Sequence, residues 1–472
     1  MENITLAETF KATSIRLGGE KFQISKGSVK VKSGRSDQSS GHIDIPVHII
    51  KSSDPNPREP VFWLAGGPGI SNLKQKPSRK LLSHHDFVLV GYRGVDGSVR
   101  LNSRKLKKAV KGINNSLLSD QSLVNLGNSI EEYIRDISAN SINPEHFTIT
   151  DVIDDFEEIR ELLGYNRINL LSASYGTRVA LLYSYRYPQS IKRSVMLGVN
   201  PPGHFVWWPE KTEEIIQAYD SIYRSVAGNG GISIEESIHK ALADMPERWA
   251  FFKLDADKIR ATSFVMLYRK QGAAMVFDAF KKAALKNDYS GLYLMQLAYD
   301  YLVPRMFAWG DFFNKGACAD FKDGIDYSSL LKTEKTNIGA PLSELIWGGV
   351  RNWPPVIIGT DYRKVKYSET ETLMIGGNLD ISTPPEYATQ ELLPLMPNAR
   401  QVILKHMAHV DDLMYLQKRA FDHLVAGYFE NGTADTDLFT EDPVVFRVPV
   451  SFNGLAKGLF PVVIILNLVN AF

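Results

Sequence analysis

The segment Ser172-Ala173-Ser174-Tyr175-Gly176 sets a serine between small residues two positions before and two after it. Such a serine is a candidate nucleophile for acyl transfer. A strand that turns abruptly into a helix holds the middle residue in a strained conformation with its Oγ presented at the top of the sheet, and only small neighbours fit across the turn. A serine hydroxyl is a poor nucleophile near neutral pH, so an imidazole must take its proton and a carboxylate must orient that imidazole. Asp380, in Gly-Gly-Asn-Leu-Asp-Ile-Ser-Thr-Pro-Pro, and His409, in Lys-His-Met-Ala-His-Val-Asp-Asp, each follow a short apolar run farther along the chain. His406 competes for the role of base. His409 is preferred because it lies farther from the apolar run and directly precedes a helical pattern.

A fourth element is Ala65-Gly66-Gly67-Pro68-Gly69, again just after an apolar run. Glycines let the backbone approach a reacting carbonyl and aim N–H groups at it, whereas Pro68 has no N–H to offer. Gly67 and Tyr175 are therefore the expected oxyanion donors, with Gly66 as a substrate contact. A phosphate-binding loop is disfavoured, since both the Lys-Ser/Thr pair of a P-loop and the G-x-G-x-x-G spacing are missing.

These residues need elements to hold them. Ile45–Ile50, Val61–Leu64 and Phe87–Val90 are short apolar runs bounded by turn formers, the pattern of buried strands. From Thr150 to Gly164, apolar residues at Val152, Ile153, Phe156, Ile159, Leu162 and Leu163 predict an amphipathic helix. It leads into a strand at Ile168–Leu171, the serine turn, a second helix ending at Pro188, and a strand at Ser194–Val199. From about 204 to 353 the alternation stops and helical spacing rich in aromatics, among them Trp207, Trp208, Trp249, Phe307 and Trp309, predicts an inserted helical lid. Alternation resumes with a strand at Thr372–Ile375, a helix over Pro385–Met396, a strand at Gln401–Leu404 and a helix over Asp412–Tyr428. The fold class is α/β, with a mostly parallel sheet covered by helices on both faces.

In 472 residues, 54 Lys and Arg stand against 53 Asp and Glu, for a net charge of +1, which gives no drive toward nucleic acid or an acidic membrane. The one cysteine, Cys318, excludes an intrachain disulfide and a cysteine-built zinc site. With no apolar export signal in the first thirty residues, the expected location is cytoplasmic. Leu459–Val469 is apolar but shorter than the ~20 residues of a membrane-spanning helix, so no transmembrane segment is expected and a buried terminal strand or helix is preferred there. The expected division is core 1–203, lid 204–355, core 356–445 and an apolar extension 446–472.

The sequence resembles the α/β-hydrolase family of serine exopeptidases that includes prolyl aminopeptidase and bacterial tripeptidyl aminopeptidases. Gly66-Gly67-Pro68-Gly69 matches the family's glycine loop, Ser174-Tyr175-Gly176-Thr177-Arg178 its elbow and helix, Asp380-Ile381-Ser382-Thr383-Pro384-Pro385 its acid loop, and Trp353-Pro354 its Trp-Pro. Ser172, Ala65 and Ala408 replace the family's usual Gly, His and Gly. Gly91-Tyr92-Arg93-Gly94 keeps the Arg-Gly of a further loop without its leading acid. Val350 stands where exported relatives carry the cysteine that pairs with the position of Cys318.

The resemblance implies an α/β-hydrolase fold and amino-terminal cleavage of short peptides through an acyl-enzyme, with no metal or organic cofactor. Esters of small apolar acids are the alternative substrates, and a catalytically inert binding protein is an alternative of another class. Binding a free amino terminus calls for a lid carboxylate, since an unpaired ammonium in a desolvated pocket is costly. Glu210, Glu213, Glu214 and Asp320 are available, with Asp320 and Glu210 named as substrate contacts.

Overall fold

The computed structural model describes residues 10–37, 39–114, 116–227, 231–322, 324–332, 336–354 and 358–459. Nine strands form one sheet in the order β1-β2-β3-β5-β4-β6-β7-β10-β11. They are β1 (Lys11–Leu17), β2 (Glu20–Lys32), β3 (His42–Ile50), β4 (Arg58–Leu64), β5 (His85–Val90), β6 (Ile168–Ala173), β7 (Ile191–Leu197), β10 (Thr372–Gly377) and β11 (Ala399–Leu404). The short pair β8 (Arg248–Trp249) and β9 (Phe252–Lys253) lies apart. From β5 to β11 all neighbours run parallel, whereas β1, β2, β3 and β5 pair antiparallel. Each expected strand is present. The β1–β2 hairpin escapes an apolar-run reading because β1 is mostly exposed and β2 buries only intermittent residues such as Phe22, Ile24, Val29 and Val31.

Four helices brace the sheet. They are α1 (Arg79–Leu82), α2 (Ile149–Leu162), α3 (Tyr175–Arg186) and, later in the chain, the helix Lys418–Asn431. Thr148 and Asp151 close a capping box at the start of α2, satisfying two donors that the first turn would otherwise leave unpaired. Strand alternation puts Phe62 of β4 toward Phe156 of α2, with ring centroids 6.3 Å apart, and turns Val61 and Trp63 to the opposite face. β6 is buried along its whole length, as a central parallel strand covered on both sides must be.

Between β7 and β10 the chain is mainly helical. The helices used below are α4 (Pro209–Ala227), α5 (Ala256–Met266), α6 (Ser290–Met306), α7 (Trp309–Phe312) and α8 (Pro341–Val350). A π-helical turn, Phe313–Ala317, continues α7. The expected helix over Pro385–Met396 is instead a short α turn, a π turn and a 3-10 turn, and the last helix is split into α9 (Val410–Tyr415) and α10 (Lys418–Asn431). The apolar run expected to form a terminal strand or helix lies, from residue 460 onward, outside the described residues. Among the described residues no helix is long and apolar enough to cross a membrane.

Candidate active site

Strand register explains why distant sequence segments meet. Leu64 pairs with Ser172, Ala173 with Leu197, Leu197 with Ile375, and Gly377 with Leu404. The glycine loop, the serine turn and the loops bearing Asp380 and His409 therefore leave one edge of the sheet side by side.

Ser174 sits at φ 53° and ψ −125°, a conformation non-glycine residues rarely adopt, on the turn into α3. Its N–H donates to Leu197 O at 2.8 Å. Gly176 is obligatory here, since a Cβ would lie 2.1 Å from Leu64 O. Ser172, at the small-residue position two before Ser174, turns its hydroxyl to Val195 O at 3.1 Å.

Asp380 is fully buried, and its carboxylate is met by four hydrogen-bonding groups. One carboxylate oxygen accepts the N–H groups of Ser382 and Thr383, each at 2.9 Å. The other accepts Thr383 Oγ1 and pairs with His409 Nδ1, both at 2.8 Å. This contact assigns the Nδ1–H tautomer, which leaves Nε2 with a lone pair for a serine proton. The ring is held from the helical insertion too. His409 N–H donates to Tyr268 O at 3.1 Å, and the Tyr268 ring meets the imidazole edge-on with centroids 4.9 Å apart.

Leu197-Gly198 lies between the serine and the imidazole. Gly198 has φ +59°, and a Cβ there would stand 2.9 Å from His409 Cε1 and 2.8 Å from Thr383 Oγ1. Ser174 Oγ and His409 share no hydrogen bond among the described residues; catalytic hydrogen bonds of this kind commonly tighten only when substrate closes the site. His406, the competing base, turns to φ 58°, and its N–H donates to Asn378 Oδ1 at 2.6 Å. Its nearest carboxylate is Glu441, 3.9 Å away.

Gly66 comes so close to the serine turn that a Cβ would be 3.0 Å from Ser174 Cβ and 3.6 Å from its Oγ. Asn72 anchors the loop to the sheet: its Oδ1 accepts Ala65 N–H at 2.7 Å, and its Nδ2 donates to Trp63 O at 2.8 Å and Val90 O at 2.7 Å. Neither Gly66 nor Gly67 donates its N–H to an acceptor among the described residues. The far end of the loop is held by α7, where Asp311 accepts Gly69 N–H at 3.1 Å. Asp311 is also ion-paired with Lys315, whose ammonium reaches Arg93 O. Burial pushes the Asp311 carboxyl up, and Lys315 opposes that shift.

The carboxylates expected to meet a substrate amine are occupied or displaced. Asp320 forms a buried ion pair with Arg178 at 2.9 Å and accepts the N–H groups of Gly203 and Phe205, so it is a structural brace. Glu210 is exposed near the start of α4. Glu213 accepts the N–H groups of Ile338 and Gly339, and Glu214 pairs with Lys211 at the surface. Sequence spacing offered no signal for Tyr268, Asn72 or Asp311. Thr383 was visible only as part of the acid-loop motif.

A sequence model of the alpha/beta hydrolase fold matches residues 59–411, from β4 through the loop bearing His409. This chain belongs to the α/β-hydrolase family. It is 27% identical over 145 residues to the putative hydrolase YuaR of Escherichia coli K12, covering 29% of this chain and 28% of that protein. The likeness thus spans less than a third of that relative.

Among solved structures, the chain is similar to a serine hydrolase from Cycloclasticus zankles, at 12% identity, 87% of this chain, 100% of that chain and a TM-score of 0.41. It is also similar to a meta-cleavage product hydrolase from Pseudomonas fluorescens IP01, at 13% identity, 89% of this chain, 98% of that chain and a TM-score of 0.38. An esterase from Exiguobacterium antarcticum matches at 12% identity, 85% of this chain, 98% of that chain and a TM-score of 0.38.

Proposed function

We propose that this hydrolase is a serine enzyme that cleaves short peptides from the amino terminus through an acyl-enzyme. The observation that carries the serine mechanism is the buried Asp380–His409 pair, with Nδ1 committed and the strained Ser174 elbow beside it. Ser174 Oγ attacks the carbonyl as His409 takes its proton, and Asp380 stabilises the imidazolium. The N–H groups of Gly67 and Tyr175 receive the oxyanion, with the positive end of α3 behind Tyr175. His409 then protonates the leaving amine, and water activated by the same imidazole releases the acyl group.

The insertion between β7 and β10 acts as a lid, and contacts from it to His409 and Gly69 support that role. Ser343 of α8 accepts Trp207 N–H at 2.9 Å, and Trp207 Nε1–H reaches Ser382 Oγ at 3.3 Å, which ties the insertion to the loop bearing Asp380.

The commitment of Asp320 and Glu213 to structural bonds favours a second reading, hydrolysis of small apolar esters. Rates on aminoacyl amides with a free amino group, on their acetylated forms and on short acyl esters separate the two. Equal rates on free and acetylated amides overturn the aminopeptidase reading. Fluorophosphonate labelling that is absent from the folded protein, or that survives in Ser174→Ala, overturns the serine mechanism.

A further inference from the structure

On the sheet face opposite α2, a cavity of about 1050 Å³ is lined by none of the catalytic residues. It arises in the connection between β4 and β5, where α1, four residues long, is the one helix among the described residues. A single turn cannot cover the sheet as a helix of ordinary length would. Leu171 of β6 and Met414 of α9 contribute to the floor, and Phe421 and Val425 of α10 form a wall. The mouth carries six cationic side chains, Lys74, Lys76, Arg79, Lys80, Lys418 and Arg419, against one acid, Asp422.

In a chain of net charge +1 this is a local concentration of positive charge. Arg79 pairs with Glu20, Lys80 bonds His423, and Lys418 pairs with Asp422. Lys74, Lys76 and Arg419 are exposed and have no carboxylate partner among the described residues.

We propose that this cavity binds the anion of a long-chain carboxylic acid, with its aliphatic tail against Leu171, Met414 and Phe421 and its carboxylate at the cationic mouth. An apolar floor rejects polyphosphates and sugars, which would be desolvated there without partners. The cationic rim rejects amines and gives a neutral amphiphile nothing to exchange for its lost hydration. A volume of this size is in the range that encloses small-molecule ligands.

The test is calorimetric titration of dodecanoate into the Ser174→Ala protein, which leaves this cavity untouched. One equivalent binds, and affinity rises by about fourfold per methylene from octanoate to dodecanoate. Dodecanol, dodecyltrimethylammonium and the Lys74→Glu/Lys76→Glu/Arg419→Glu variant each show at least about tenfold weaker binding, as expected when a charge-assisted contact is removed. The variant keeps wild-type turnover, so the result is independent of the proposed hydrolase activity. Equal affinity for dodecanol and dodecanoate overturns the proposal, as does unchanged affinity in the charge variant. Loss of dodecanoate binding after fluorophosphonate labelling of wild type would place the chain in the catalytic cleft instead. Binding to phosphatidylglycerol vesicles without binding of monomeric dodecanoate would make the patch a membrane contact.

Discussion

Asp311 takes the Gly69 N–H at 3.1 Å while paired with the buried Lys315, so a side chain of the helical insertion fixes the glycine loop that begins beside Ser174. Replacing it by Asn leaves the Lys315 ammonium buried without its counter-charge, a loss of about 3–5 kcal/mol when such a pair is broken. Asp311→Asn is expected to lower the denaturation midpoint, and kcat should fall in the fraction that remains folded. The double variant Asp311→Leu/Lys315→Met, measured by urea unfolding, should recover most of the stability but not kcat, because the Gly69 N–H stays without its acceptor.

Gly198 separates the imidazole from the serine strand. Gly198→Ala puts a methyl group 2.9 Å from His409 Cε1 at a φ of +59°, which displaces the ring from the position set by Asp380. A misplacement of about 1 Å costs on the order of 10²-fold. The expected outcome is a fall of that size in kcat with KM little changed, read from initial rates on the best substrate found.

The assignment of base and orienter is tested by two substitutions. Asp380→Asn keeps an acceptor for Ser382 and Thr383 but favours the wrong imidazole tautomer, and kcat is expected to drop by about 10⁴-fold. His406→Gln, outside the site, should leave kcat within about twofold. The reverse pattern would exchange the roles of the two histidines.

Glu344 gives stability a pH signature. Its carboxyl is raised from an ordinary 4.5 to about 7 by burial, so the folded chain holds a proton that the unfolded chain releases between those values. Stability contributed by the neutral form is present below about 4.5 and is lost as the pH rises through about 7. Glu344→Gln removes this loss. The Tm difference between variant and wild type should become more positive from pH 5 to pH 8, and a constant difference would rule the linkage out.

Much of the core was legible before any coordinates. Buried parallel strands are continuous apolar runs, and a serine flanked by small residues just after one announces its own turn. The β1–β2 hairpin was not legible, because an edge hairpin with one wet side carries no apolar run. The break after Tyr415 and the π turn at Ala388 leave the helical periodicity almost unchanged. Charge and position in sequence cannot show whether a lid carboxylate is already partnered, as Asp320 is by Arg178.

The amino-acid order alone marked the candidate nucleophile, its candidate acid and base, the glycine loop and the alternating α/β core, since each depends on local sterics or local apolar pattern. Only the tertiary structure decided that Asp380 and His409 meet at 2.8 Å, that Tyr268 and Asp311 reach the site from the insertion, and that a cationic cavity opens behind the sheet. Those relationships depend on strand order and register, which bring together residues far apart in the chain.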